Sequence, residues 1–293
     1  MVLIIGAGIA GLYLGKLLQD HGVDFRIVEA RDRIGGRVWT LNQPDGPPIE
    51  MGPTWFGPQH TYLKRVVEEL DLEYFEQFRD DYYFFQQSSQ GKFERYLLPN
   101  QAPSFRFANG TQSLVNRLAS VIDRDKIHFN QSVKHIEWSD KQVTVLATDT
   151  FIAEKVVLTV PPKLWAHHID FKPVLPNNLI EIARNTQTWM EGSIKMAYVF
   201  SKPFWEGKGS TIFTNDGPLI EFYDHSDVNR KHYSLCGFAH PSLHSLSKAE
   251  RELKGLKQLE EIYGTQANDY VDYHECVWYE EVFTGLNNGF QMP

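Results

Sequence analysis

The chain has 293 residues, with 29 Lys and Arg against 37 Asp and Glu, a net charge of −8 at pH 7. That length supports a sizeable core and about two domains, and the acidic balance argues against nucleic acid or an anionic membrane surface as the main partner. Two cysteines, Cys236 and Cys276, make neither a disulfide framework nor a metal set and fit a reducing cytoplasm.

The first apolar run begins at residue 2, so no signal peptide is expected ahead of it, and no apolar stretch reaches the ~18 residues of a membrane span. Val2, Leu3, Ile4 and Ile5 read as a strand buried on both faces. Gly6, Gly8 and Gly11 follow at G-x-G-x-x-G spacing, and helical periodicity runs from Ile9 to about His21, where Gly22 stops it. Residues 25–28 read as a second strand, and Glu29 stands at its end, 18 residues beyond Gly11. This is a βαβ nucleotide-binding unit. Gly6 makes the tight turn, Gly8 admits a pyrophosphate, and Gly11 lets helix lie on strand. The helix start, with Ile9 and Ala10, offers free N–H groups to the phosphates, and Glu29 accepts hydrogen bonds from ribose hydroxyls.

Residues 29–37, EARDRIGGR, match an E-x-x-x-R-x-G-G-R pattern. This resembles the signature of two-dinucleotide-binding-domain flavoproteins, and specifically the flavin-containing amine oxidase family (monoamine oxidase-like). The resemblance implies FAD, with Ala30, Arg31 and Val38 against it. Gly35 and Gly36 then form a second phosphate-facing turn, and Arg37 holds the pyrophosphate from the other side.

Further on, residues 44–48 form a turn-rich loop, and Gly52, Pro53, Thr54 and Trp55 resemble the family's loop beside the flavin ring. That likeness implies that Trp55 faces the isoalloxazine or the substrate. Residues 61–70 form an amphipathic helix with Leu63, Val66, Val67 and Leu70 on one face, and residues 74–98 form strands and loops. Residues 105–114, FRFANGTQSL, resemble the family's turn-and-helix return to the FAD domain. Asn109 stands where a glycine is usual, in a left-handed turn. Residues 126–160 read as a β-meander, and the resemblance puts the backbone of Val133 against the adenine.

His167 and His168 are adjacent, point in different directions, and read as structural or surface residues. A helix is expected at 178–184, an antiparallel sheet beyond it, and a charged helix from Ser247 with Glu250 and Glu252 in its first turn. Residues 188–206, TWMEGSIKMAYVFSKPFWE, resemble the family's G-S-x-x-K-x-x-x-x-Y-x-x-P-F-W block, one residue shorter between serine and lysine. The resemblance makes Lys195 the lysine that binds a water beneath flavin N5; by its residue type alone it would be a solvent-facing strand lysine.

Trp278, Glu280 and Glu281 resemble the family's W-x-E-E segment, which puts Trp278 on the cofactor. The closing flavin-facing strand and helix, on the order of fifty residues in the family, are not found after it. Thr284, Gly285 and Leu286 carry no cysteine for a flavin linkage, so non-covalent FAD is expected.

The expected fold is α/β: an FAD-binding Rossmann-like domain (1–75, 105–165, 277–293) with an α+β substrate domain containing an antiparallel sheet (76–104, 166–276). The implied activity is oxidation of a C–H next to an amine nitrogen, with hydride transfer to flavin N5 and O2 as acceptor, in a substrate pocket bounded by Trp55 and Phe283. Two alternatives stay open: a desaturase or a protoporphyrinogen- or carotenoid-type oxidase on the same scaffold, and a non-catalytic FAD-binding protein.

Overall fold

The computed structural model describes residues 1–43, 46–88, 91–188 and 191–286. Parts of the expected 44–48 loop and of the 188–206 block, and the end of the expected 277–293 segment, lie outside those residues. A four-stranded parallel sheet runs in the order Lys155–Leu158, Val2–Ile5, Phe25–Val28, Ile127–His128. Its central apolar run serves two cores at once. Ile4 packs with Leu12, Phe25 and Ile27 under the helices, while Leu3 and Ile5 pack with Val133, Ile136 and Val145 on the other side. That two-sided burial is why the run does not alternate.

The helix Ile9–Asp20 lies on the sheet through glycines. A Cβ on Gly11 would stand 1.9 Å from the Gly6 carbonyl oxygen, and one on Gly15 would stand 2.9 Å from Ile27 Cδ1.

The expected meander of residues 126–160 is divided between two sheets. His135–Trp138, Val143–Leu146 and Thr150–Ala153 pair antiparallel as a meander. Ile127–His128 and Lys155–Leu158 instead join the parallel sheet. The run across Ala153 is therefore two strands, because Val2–Ile5 takes Lys155–Leu158 as a parallel partner. The strand Asp170–Lys172 adds parallel to His135–Trp138.

The third sheet has seven strands in the order Tyr270–Val277, Ile194–Phe200, Tyr233–Ala239, Leu219–Asp224, Thr211–Thr214, Tyr82–Gln86, Glu94–Leu97. All neighbours are antiparallel except Thr211–Thr214 beside Tyr82–Gln86. The strand Ile194–Phe200, paired on both sides, is buried along its whole length. The helix Lys248–Tyr263 covers one face and begins in a reciprocal cap between Ser247 and Glu250. The Tyr198 hydroxyl reaches that helix and donates to the Glu252 carbonyl at 2.7 Å.

Two short strands, Thr40–Leu41 and Ile49–Glu50, connect the parallel and seven-stranded sheets. Glu50 ties them together. Its buried carboxylate accepts from Thr40 Oγ1 at 2.8 Å and from the Thr111 N–H, and its own N–H donates to His225 Nε2 at 3.2 Å. Burial pushes this carboxyl above the usual glutamate range. The left-handed residue of the turn before helix Gln112–Ser120 is Gly110, at φ +76, and not Asn109. A Cβ on Gly110 would stand 2.4 Å from Thr40 Cγ2, so both the space and the backbone ask for glycine there.

Gly11→Ala is expected to lower the unfolding free energy by about 1–3 kcal/mol, because backbone cannot move aside for the new methyl. A fall in the urea midpoint at unchanged m-value reads this, and an unchanged midpoint contradicts the close helix–strand approach.

Candidate functional site

A cavity of about 1210 Å³ opens at the carboxyl ends of the parallel strands, where Gly6, Glu29 and Thr159 follow Ile5, Val28 and Leu158. This is where doubly wound sheets bind ligands, and the volume exceeds the roughly 300–1,000 Å³ of ordinary small-ligand pockets. Gly6 turns the chain at φ +108. A Cβ on Gly8 would meet nothing within 4 Å, so this glycine, with Ile9 and Ala10, faces open cavity at the helix start. Open space at Gly8, backed by unpaired helix N–H groups, is what a pyrophosphate needs.

Glu29 is buried and held from both sides. Its Oε2 accepts from the Ala7 N–H at 2.8 Å and its Oε1 from the Arg31 N–H at 3.0 Å. A carboxylate has about four lone-pair sites, so acceptor capacity remains for two ribose hydroxyls.

The second glycine turn is fastened to the first. The Gly35 N–H donates to the Ala7 carbonyl at 2.8 Å, and Gly35 and Gly36 have φ +102 and +59. That N–H is thus spent on the loop and not offered to a phosphate. Arg37, Val38 and Ala30 line the cavity; burial draws the Arg37 guanidinium below its ordinary range, and Glu191 pulls it back up. Val133 is buried at the wall beside Gln131 and Lys134.

The loop from Gly52 to Trp55 closes another side. A Cβ on Gly52 would stand 2.2 Å from the Arg37 carbonyl oxygen, so the loop lies directly on the backbone of the second turn. Behind it stands Lys195, 1 % exposed. Its ammonium donates to Thr54 Oγ1 at 2.9 Å and to the Gly52 carbonyl at 3.3 Å, and sits 4.2 Å from the centre of the Phe238 ring. Among the described residues no carboxylate lies within ion-pair distance of it, and burial draws its pKa below the usual lysine range. Lys195 is therefore no solvent-facing strand lysine; Gly52, Thr54 and Phe238 form the wall in front of it.

Trp55 is set by a hydrogen bond from its Nε1 to Gln77 Oε1 at 2.9 Å and by the Tyr223 ring at 4.1 Å. The Tyr223 hydroxyl lies 2.9 Å from Thr54 Oγ1. Trp278 is buried, and its Nε1 donates to the Met51 carbonyl at 2.6 Å.

Phe283, expected with Trp55 to bound the substrate pocket, lines the same cavity as Trp55, with the Arg31 guanidinium 5.4 Å from its ring centre. Arg31 also donates to Thr284 Oγ1 at 2.7 Å and to Glu281 at 3.2 Å. One cation thus gathers the residues after Trp278 onto the Glu29 side.

His168 lines the cavity, and the His167 ring nitrogen Nδ1 pairs with the Lys163 carbonyl. Among the described residues no cluster of three or more His, Cys, Asp and Glu is arranged for a metal, and no helix is long and apolar enough to cross a membrane. Sequence reasoning missed Thr159, Glu221 and Phe238. Thr159 ends a strand that was readable; the other two reach the site only through strand pairing.

The family model for flavin containing amine oxidoreductases matches residues 9–107 and 83–286, and the chain belongs to that family. Its flavin implies FAD as the cofactor, and the glycine loops, Glu29 and the large cavity fit a dinucleotide. Bovine amine oxidase [flavin-containing] B is 39% identical over 72 residues, 25% of this chain and 14% of that protein. Putrescine oxidase of Kocuria rosea is 40% identical over 79 residues, 27% of this chain and 16% of that protein. The stretch shared with these curated relatives is thus a small part of their length.

Among solved structures, putrescine oxidase bound to putrescine superposes with a TM-score of 0.86 at 23% identity, covering 97% of this chain and 86% of that one. Cyclohexylamine oxidase from Brevibacterium oxydans gives 0.87 at 22% identity, with the same coverage. These likenesses establish the fold: FAD-binding Rossmann-like α/β with an antiparallel sheet.

Glu29→Ala and Arg37→Ala are each expected to weaken FAD binding by on the order of 1.5–3 kcal/mol, through loss of a ribose acceptor and of a charge-assisted phosphate contact. Fluorescence titration with FAD measures both, and unchanged dissociation constants in the two variants contradict this placement of the cofactor.

Proposed function

We propose that the protein is an FAD-dependent amine oxidase, built as an FAD-binding part (1–75, 105–165, 277–293) and a substrate part (76–104, 166–276). The observation that carries this reading is the buried Lys195 ammonium behind the Gly52–Thr54 wall of a flavin-sized cavity. FAD held there would supply the redox chemistry of amine oxidation, as hydride acceptor at N5 with O2 as the electron acceptor.

The chain binds, orients and excludes water. The Gly6–Gly11 loop and the helix start take the pyrophosphate, Glu29 the ribose, Val133 the adenine, and Arg37 adds a charge-assisted phosphate contact. Gly52 to Trp55, with Trp278 fixing Met51 behind them, set the wall for the flavin ring. Trp55, on the cavity wall, presents aromatic surface to an amine. Thr54 holds the Lys195 ammonium, whose pKa burial draws below the usual lysine range.

Non-covalent attachment is supported by the cysteines. Cys236 and Cys276 are both buried, and burial pushes the Cys276 thiol up to about 12, which leaves little thiolate for reaction.

Two measurements test the reading. Anaerobic addition of an amine is expected to bleach the visible flavin absorption, and absorption indifferent to primary amines contradicts it. Lys195→Met is expected to retain FAD, since Lys195 holds neither phosphate nor ribose, while flavin reoxidation by O2 slows by at least about tenfold. A cation in a dry site stabilises the charge that develops as O2 is reduced. Equal stopped-flow reoxidation rates would remove Lys195 from the mechanism.

A further inference from the structure

The strand Tyr270–Val277 forms one edge of the seven-stranded sheet, and alternate residues along it point to opposite faces. Tyr273 and Glu275 face the covering helix, where Glu275 meets Arg251 and accepts from the Tyr273 hydroxyl at 2.7 Å. Asp272 and His274 stand on the other face. They pair with Val199 and Ala197, which share a core cluster with Ile49 and Met51, and Leu41 packs against that cluster. The face therefore meets the hairpin of Thr40–Leu41 and Ile49–Glu50, whose loop begins with residues 42 and 43.

That loop brings a third polar side chain to the same point. His274 Nε2 lies 3.0 Å from Asp272 Oδ2. The Gln43 amide nitrogen donates to Asp272 Oδ2 at 3.0 Å and lies against His274 Nε2. None of the three residues lines the large cavity.

The convergence has a physical meaning. A carboxylate oxygen and an imidazole nitrogen aim lone pairs at one point, where the amide hydrogens of Gln43 now stand. Metal bonds of roughly 2.1 Å at right angles hold their two ligand atoms about 3 Å apart, which is the separation of Asp272 Oδ2 from His274 Nε2. A half-turn of the Gln43 amide exchanges its nitrogen for Oε1 and supplies a third donor. Asp272 is exposed, so water completes the shell. One imidazole with two oxygen donors suits zinc, nickel or copper better than calcium or magnesium, which prefer oxygen alone. The third donor is an amide, so a count of His, Cys, Asp and Glu passes the cluster by.

We infer that Gln43, Asp272 and His274 form a surface site for a first-row divalent cation of the zinc class. A cation held there ties the loop of the 40–50 hairpin to the edge of the seven-stranded sheet. The same hairpin carries Glu50 and leads into the Gly52–Trp55 wall, so the site braces that wall from outside the cavity. It takes no part in electron transfer and stands independently of the amine-oxidase reading.

The test is calorimetric titration of the FAD-loaded protein with zinc chloride. The wild type is expected to bind one zinc per chain with micromolar or tighter affinity. His274→Ala and Asp272→Asn are each expected to weaken that binding at least about tenfold, and Gln43→Ala by less. Hydrogen exchange reads the brace: zinc is expected to slow the amides of Thr40–Leu41 and Ile49–Glu50 in the wild type and to leave them unchanged in His274→Ala. Failure of the wild type to take up zinc at micromolar concentration overturns the site. So does uptake that both His274→Ala and Asp272→Asn leave intact, because the zinc then lies elsewhere. If those variants do not fold, wild-type crystals soaked in zinc chloride decide the matter. An anomalous peak between the three side chains upholds the site, and no peak there overturns it.

Discussion

The site depends on backbone passing against backbone with no room for a side chain. At Gly11 a Cβ would lie 1.9 Å from the Gly6 carbonyl, at Gly35 2.8 Å from the Val38 carbonyl, and at Gly52 2.2 Å from the Arg37 carbonyl. The three contacts join in series. The first sets the helix start against the parallel sheet. The second closes the Gly35–Val38 turn, which the Gly35 N–H hangs on the Ala7 carbonyl of the first loop, and the third lays the Gly52–Trp55 loop on that turn. Backbone contacts at this range have no flexible side chain to absorb error, so one end of the cavity fixes the other. Cofactor groups many residues apart in sequence are thereby given rigid partners, which is the condition for orientation without reorganisation.

Buried charge supplies the second constraint. Lys195, Glu50 and Arg106 are all nearly inaccessible and near one another without forming direct ion pairs. Each is satisfied by polar groups that bridge segments: Glu50 by Thr40 and Thr111, Lys195 by Thr54 and Gly52, and Arg106 by the carbonyls of His225 and Ser226. Burying a charge is costly unless it is hydrogen-bonded, so these bonds make the join between the parallel and seven-stranded sheets specific. His225 Nδ1 and Ser226 Oγ remain buried without a hydrogen-bond partner among the described residues, a local cost at the same seam.

The sequence was readable where structure is local. The G-x-G-x-x-G loop, the acid after the second strand and the Ser247 cap each lie within one supersecondary unit, so spacing alone specifies them. Lys195 was found by its block, although its residue type alone suggested solvent; the seven consecutive buried residues of its strand decide otherwise. What spacing could not supply was long-range pairing. The division of residues 126–160 between two sheets, and the parallel match of Thr211–Thr214 to Tyr82–Gln86, arise from partners far along the chain. The same holds for Phe238 and Glu221, ordinary strand residues until register sets them beside Lys195. The Arg31 guanidinium beside the Phe283 ring is likewise a contact that no periodicity announces.

The central claim is that one cavity, running from Glu29 to the Gly52–Trp55 loop in front of Lys195, holds an entire FAD. A crystal structure of the protein grown with FAD tests this most directly. The account predicts adenosine density at Val133 and Glu29, pyrophosphate at Gly8, and the isoalloxazine against Gly52 to Trp55. Flavin density outside this cavity, or adenosine at the Lys195 end, would contradict it.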